Sequence, residues 1–154
     1  MLSGERALPI QSRSNDLTRS SSLMDQLFEH VPEAILLFDK ARCAVRVNRE
    51  FVRMFGYSEE EIIGKRVPSL IIPEERRDEG ERFAQLRAQG QSINVETVRM
   101  RKDGQQIDVS LLQVPINDGD EKVCGYAIYR DITERKLAEQ LRWESRARRG
   151  CVPM

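Results

Sequence analysis

The stretch "INVETVRMRKDGQQIDVSLLQVPI", Ile93 to Ile116, decides the fold. At its centre stands Asp103-Gly104, a pair suited to a hairpin turn because the central residues of such turns take positive φ. Strand-forming residues flank the turn on both sides. A two-residue turn sets Met100 opposite Ile107 and Val98 opposite Val109, and further out Val95 opposite Leu112 and Ile93 opposite Val114. Side chains alternate between the faces of a strand. The apolar phase changes on both strands, between Thr97 and Val98 and between Leu111 and Leu112. The hairpin is therefore predicted to carry apolar patches on opposite faces. One meets the helices of the domain. The other needs a second cover, such as an amphipathic helix over Leu23–Val31 of this or a partner chain, or a bulge that cancels the change of phase.

Toward the C-terminus, "NDGDE" reads as a loop and residues 123–132 as a last strand. That strand runs into "TERKLAEQLR", which has helical spacing, with Asp131 or Thr133 as its N-cap. Toward the N-terminus, "AILLFD" and "CAVRVN" pair as two short strands. Asn48 then caps a helix with Phe51, Met54 and Phe55 on one face, and Gly56 stops it. Ser58 and Glu61 form a capping box for a second short helix that ends at Gly64. Pro68 and Pro73 bracket an apolar turn containing Leu70. A weakly apolar helix from Glu74 to about Gln89 follows, with Gly80 inside it.

The 154 residues carry 25 basic and 25 acidic side chains, a formal charge of zero that gives no sign of a nucleic-acid partner. No apolar run approaches the roughly 20 residues that span a bilayer. The first residues lack the apolar stretch of a signal peptide. A cytoplasmic protein with no membrane or nucleic-acid contact is expected. Cys43, Cys124 and Cys151 are odd in number and widely spaced, so neither a disulfide framework nor a metal site is expected. Two of them are read as buried thiols and the third as part of a tail. No nucleophile elbow, P-loop or zinc-protease motif is present, and no enzyme is predicted. The expected organisation is a disordered tail over 1–22, one domain over 23–132, a helix over 133–149 and a tail over 150–154. The fold class is α+β, with about five antiparallel strands and helices gathered on one face.

The order of elements resembles the PAS sensory domain of bacterial signalling proteins. "NREFVRMFGYSEEEIIGK" is similar to that family's segment of Asn, apolar helix, Gly-Tyr, acidic turn and Gly-Lys. "RKDGQQIDV" resembles its Asp-Gly hairpin, and "GYAIYRDITERKLAEQL" its last strand and exit helix. Asn48, Gly56, Gly64, Asp103 and Gly104 carry the motif. The resemblance implies a binding and signalling module, with a pocket between sheet and short helices. It also implies an exit helix that pairs in a homodimer and drives a histidine kinase, nucleotide cyclase or transcription regulator. The junction falls on Asp131 and Thr133.

Phe55, Leu70, Phe83, Met100 and Tyr129 are the pocket candidates. The helix from Glu74 to Gln89 lacks the His that haem-binding members use, and His30 reads as a helix-end residue. "VPSLIIP" has no Cys where photoreceptor members form a covalent flavin adduct. Both groups are disfavoured, whereas a noncovalent flavin or a small metabolite suits an apolar pocket. A ligand-free dimerisation or adaptor module, its interior filled by large side chains, is the alternative.

Overall fold

The computed structural model describes residues 21–117 and 122–151. Of the disordered tail expected over 1–22, residues 1–20 lie outside them, as do the tip of the loop at 118–121 and the last three residues, whereas residues 21 and 22 are helical. A first helix, α1, covers residues 21–30. Strands β1 (Ala34–Phe38) and β2 (Ala44–Val47) follow, then the short helices α2 (Arg49–Phe55), α3 (Glu59–Ile62) and α4 (Pro68–Ile71). A 3-10 turn at Glu74–Arg76 leads into α5 (Arg77–Ala88). Strands β3 (Ile93–Met100), β4 (Gln106–Pro115) and β5 (Gly125–Asp131) complete one antiparallel sheet in the order β2-β1-β5-β4-β3, and α6 (Thr133–Cys151) leaves it. Helix α6 runs two residues past the expected boundary, so residues 150 and 151 belong to it rather than to a tail.

Local chemistry makes the short helices. The Oδ1 of Asn48 accepts the Phe51 N–H at 3.0 Å and starts α2. Gly56, at φ 82°, stops it. The Ser58 hydroxyl oxygen accepts the Glu61 N–H at 3.2 Å and starts α3. These helices are too short to hold without burial. Phe51, Phe55, Ile62, Val67 and Ile71 bury them against the sheet. The rings of Phe51 and Phe55 lie 4.7 Å apart, and each meets Tyr129 of β5 edge-on, at 6.1 and 5.1 Å.

The β3–β4 hairpin differs from its predicted register by one residue. Arg99 faces Ile107, Thr97 faces Val109, Val95 faces Leu111 and Ile93 faces Gln113. The loop has three residues, Lys102-Asp103-Gly104, closed by Arg101 N–H on the Gln105 carbonyl at 2.8 Å, with Gly104 at φ 89°. The Lys102 N–H donates to the Phe55 carbonyl at 2.8 Å and ties the turn to the end of α2. The change of apolar phase is accordingly not a bulge. Alternation continues unbroken, and the inner face becomes polar: Thr97, Arg99 and Gln113 are buried in line with Ile93, Ile107, Val109 and Leu111.

The outer face carries two half-buried apolar rows, Ile35–Ile128–Leu112 and Leu37–Tyr126–Val114. Helix α1 is tied to the β2 edge of this face, through Arg46, the register partner of Leu37. Asp25 pairs with Arg46 of β2 at 3.0 Å, the Arg46 guanidinium sits 4.3 Å from the centre of the Phe28 ring, and the Phe28 carbonyl accepts Asn48 Nδ2 at 3.1 Å. Leu23, Met24 and Leu27 are left exposed. Cys43 and Cys124 are free and half-buried rather than fully enclosed.

Asn48 is 1% exposed and makes four hydrogen bonds, two accepted from Ile35 and Phe51 N–H and two donated to the Phe28 and Glu33 carbonyls. Asn48→Ala strands all four groups and is expected to cost about 2–4 kcal/mol in urea unfolding. Asn48→Asp keeps the two accepted bonds but cannot donate, so it should recover only part of the loss. A wild-type midpoint for the alanine variant would refute this.

Candidate functional site

The inner face of the sheet has a gap in it. Along β5, Gly125 and Ala127 put almost no bulk on this face, whereas Tyr129 fills its position. Gly125 is obligatory there: a Cβ would stand 2.6 Å from the Phe38 ring and 2.9 Å from the Val114 carbonyl oxygen. The room left above Ala127 is a cavity of about 30 Å³, roofed by α4 and α5. It holds about two waters. Leu36, Phe38, Ile71 and Phe83 give it apolar walls, and Arg42, Arg87 and Arg99 also reach it.

Strand alternation points Arg99 inward, where it is 1% exposed. Its Nη1 donates to the Val98 carbonyl at 2.8 Å and lies 3.6 Å from Glu79 Oε1, an ion pair too long to be a hydrogen bond. Glu79 comes from the first turn of α5 and gives its other oxygen to Arg76 Nη1 at 3.1 Å. Its buried Oε1 accepts no hydrogen bond. The Thr97 hydroxyl accepts from Arg76 at 3.2 Å and, more weakly, from Arg99. Burial pushes the Arg99 guanidinium below its ordinary pKa, and Tyr129 and Glu79 oppose that shift. An arginine stays charged nonetheless. Arg87 of α5 donates Nη1 to Gln113 Oε1 and lies 4.9 Å from the centre of the Phe38 ring. Burial, then the charge of Arg42, pushes its pKa down. Arg42 pairs with Glu81 at 3.3 Å.

Of the pocket candidates, Phe83 and Tyr129 line the cavity. Phe55 packs behind Tyr129 without reaching it. Leu70 is half-buried in α4, and its carbonyl accepts the Tyr57 hydroxyl at 3.4 Å. Met100 is a correction: alternation sends it to the opposite face, and its neighbour Arg99 takes the inner position. Arg99 in its strand and Glu79 and Arg87 on α5 escape the sequence reading because a charged side chain reads as solvent-facing, and the polar Gln113 escapes it for the same reason. For Arg99 the signal was the strict period of two linking it and Thr97 to Ile93. His30 is exposed at the end of α1, and no His or Cys lines the cavity.

At the junction, Asp131 Oδ1 accepts both the Thr133 N–H at 2.9 Å and the Thr133 hydroxyl at 2.6 Å. The Ile132 N–H donates to the Asp108 carbonyl at 2.9 Å. Two exposed pairs then tie the first turns of α6 to the outer face, Arg135 to Glu96 of β3 at 2.7 Å and Lys136 to Asp108 of β4 at 3.5 Å. The same strands thus touch the cavity on one face and the exit helix on the other.

A five-stranded antiparallel sheet with short helices over one face, a cavity between them and a helix leaving the last strand defines an α+β sensory module. The profile of the PAS domain family matches residues 32–134, and the chain belongs to that family. It is 30% identical over 129 residues to a methyl sulfide methyltransferase-associated sensor of Methanosarcina acetivorans, covering 84% of this chain and 12% of the relative. To the sensor histidine kinase TmoS of Ectopseudomonas mendocina it is 29% identical over 136 residues, covering 85% and 14%. The chain therefore spans about an eighth of the length of these curated relatives. The crystal structure of a PAS domain from Colwellia psychrerythraea superposes with a TM-score of 0.62 at 27% identity, over 73% of this chain and 97% of that one. The chain is a sensory domain of signal transduction related to sensor kinases. Among the described residues no helix is long and apolar enough to cross a membrane.

Burial raises the Tyr129 phenol above its ordinary pKa, against the weaker pull of Arg99 and Arg87. The folded phenol therefore keeps its proton past the pH at which the unfolded one releases it. That contribution to stability is intact below pH about 10 and is lost as the pH climbs beyond it. Tyr129→Phe keeps the ring contacts, so its urea midpoint should fall less between pH 9 and about 11 than that of the wild type. Parallel curves would show that the phenol titrates normally.

Proposed function

We propose that this domain senses a small molecule in the arginine-lined cavity and relays its presence to α6, whose pairing in a homodimer controls an attached output such as a histidine kinase. One observation carries the reading: Arg99, which lines the cavity, belongs to a buried, incompletely bonded ionic pair with Glu79 just outside it, where a filled core would be apolar. A buried ion pair seldom stabilises a fold over an apolar replacement. Its presence beside a cavity argues for a polar occupant.

The relay is short. Arg99 Nη1 holds the Val98 carbonyl, so a pull on the guanidinium is a pull on β3. Val98 pairs with Asp108. The Asp108 carbonyl holds the Ile132 N–H, and its carboxylate faces Lys136. Leu137 and Leu141 stand exposed on one face of α6 and offer a pairing surface. The kinase output rests on the relative named as a sensor histidine kinase. The reading as a ligand-free adaptor is favoured by one observation, the cavity's small volume of about 30 Å³.

Hydrogen exchange across residues 133–145 tests the relay. Asp131→Ala removes both bonds to Thr133, and Thr133→Ala only one. Losing a cap altogether costs about 1 kcal/mol, so Asp131→Ala should speed exchange there about fivefold and Thr133→Ala less. The sheet should stay protected in both. Equal protection of α6 in all three proteins would mean that something other than this junction aims the helix.

A further inference from the structure

We propose that the molecule sensed is a small organic monoanion, a carboxylate on a compact apolar body. The inference rests on the sensory reading above and gives it a ligand class. Its ground is a mismatch of charge. Three guanidinium groups, those of Arg42, Arg87 and Arg99, reach the cavity, and no carboxylate lines it. Arg42 has Glu81. Glu79 is divided between Arg76 and Arg99, and its distance to Arg99 is the longer, 3.6 against 3.1 Å. Arg87 has only neutral partners among the described residues, the Gln113 amide and the Phe38 ring. Counted over this group, four cations face two carboxylates. Holding unpaired charge away from water costs free energy unless a counter-ion arrives. A carboxylate supplies that charge in the geometry a guanidinium fork fits best.

The rest of the lining selects the body of the ligand. Leu36, Phe38, Ile71 and Phe83 accept a short aliphatic chain or a single ring and leave an extended polar molecule unpaired. The route is marked as well. Phe38, Arg42 and Arg87 also line an outer groove of about 330 Å³ between the β1–β2 turn and the end of α5, together with Lys40 and with Asp39, whose Oδ1 accepts the Ala41 and Cys43 N–H groups. The anion would thus meet Arg42 and Arg87 before it reaches Arg99. An organic acid exceeds the present cavity, so α5 must yield. Gly80 sits at the contact that has to open, where a Cβ would stand 2.9 Å from Ile72 Cδ1. Once the acid engages Arg99, the long tie to Glu79 is replaced, and Glu79 stays with Arg76.

Titration calorimetry with butyrate and benzoate, and with their neutral amides butyramide and benzamide, tests the ligand class on the whole chain. The Nε–H signals of Arg87 and Arg99, followed by NMR, report the place. The acids should bind at least tenfold more tightly than the amides and shift both signals. Arg87→Met, which keeps an aliphatic chain against the Phe38 ring, should weaken the acids tenfold or more and leave the amides unchanged, its fold checked by the urea midpoint. Acids and amides binding alike would overturn the anion class but leave a sensory cavity standing. Acids that bind regardless of Arg87→Met sit elsewhere and overturn it too. If no probe binds, the class is again overturned. Mass spectrometry of the denatured protein then decides the wider reading: a co-purified neutral molecule preserves sensing, and an empty protein favours the adaptor.

Discussion

One buried side-chain amide holds the helical layer to the sheet. The Asn48 carbonyl oxygen takes the Ile35 and Phe51 N–H groups, and its NH2 group takes the Phe28 and Glu33 carbonyls. Four segments therefore meet at one residue: the end of α1, the entry to β1, β1 itself and the first turn of α2. An amide is the only short side chain with two donors beside an acceptor that takes two bonds. Remove it and a seven-residue helix loses its start. With that start goes the placement of Phe51 and Phe55 against Tyr129, which is the wall behind the cavity. The hairpin depends on it as well, because the Lys102 N–H is bound to the carbonyl of Phe55, the last residue of that helix.

What was legible in the sequence was mostly what is decided within a few residues. The caps at Asn48 and Ser58, the stop at Gly56 and the helix after Asp131 follow from donors and acceptors that neighbours supply. The register of the β3–β4 hairpin does not. Asp103-Gly104 fits both a two-residue and a three-residue loop. The choice falls to the second because Gly104 takes the left-handed conformation and Phe55, 47 positions earlier, binds Lys102. One residue of slip is enough to reverse which side chains meet across the sheet. It is the reason the sequence alone points to Met100 as a pocket residue and away from Arg99.

The site was hidden for a related reason. Hydropathy assigns Arg99, Glu79 and Arg87 to water. Their burial depends on Gly125 and Ala127, two small residues on a different strand that leave room beside them, and on α5, which covers the group. Neither fact is local. The one local signal is negative: a hydrophobic alternation that persists in spacing while losing its apolar residues. Ile93, Val95, Thr97 and Arg99 occupy one face by geometry, whatever their polarity. A polar residue in such a phase asks for a partner, and Thr97 finds two in Arg76 and Arg99.

The energetics of the exit helix fit the task set out for it. Apart from the buried Ile132, the first turns of α6 are held by exposed groups: the Asp131–Thr133 bonds and the pairs Arg135–Glu96 and Lys136–Asp108. Exposed pairs of this kind contribute between about 0 and 1 kcal/mol each, so the helix is aimed without being locked. An occupant of the cavity moves such a joint only by the difference in its affinity for the two arrangements. Couplings between sites usually amount to about 1–3 kcal/mol. A joint bound more tightly would ignore a signal of that size, and one bound more loosely would have no direction to change. Charge-paired contacts on the outer face and an unbalanced charge on the inner face lie on the same two strands. In the proposed relay, a shift of β3 and β4 would therefore be felt at both.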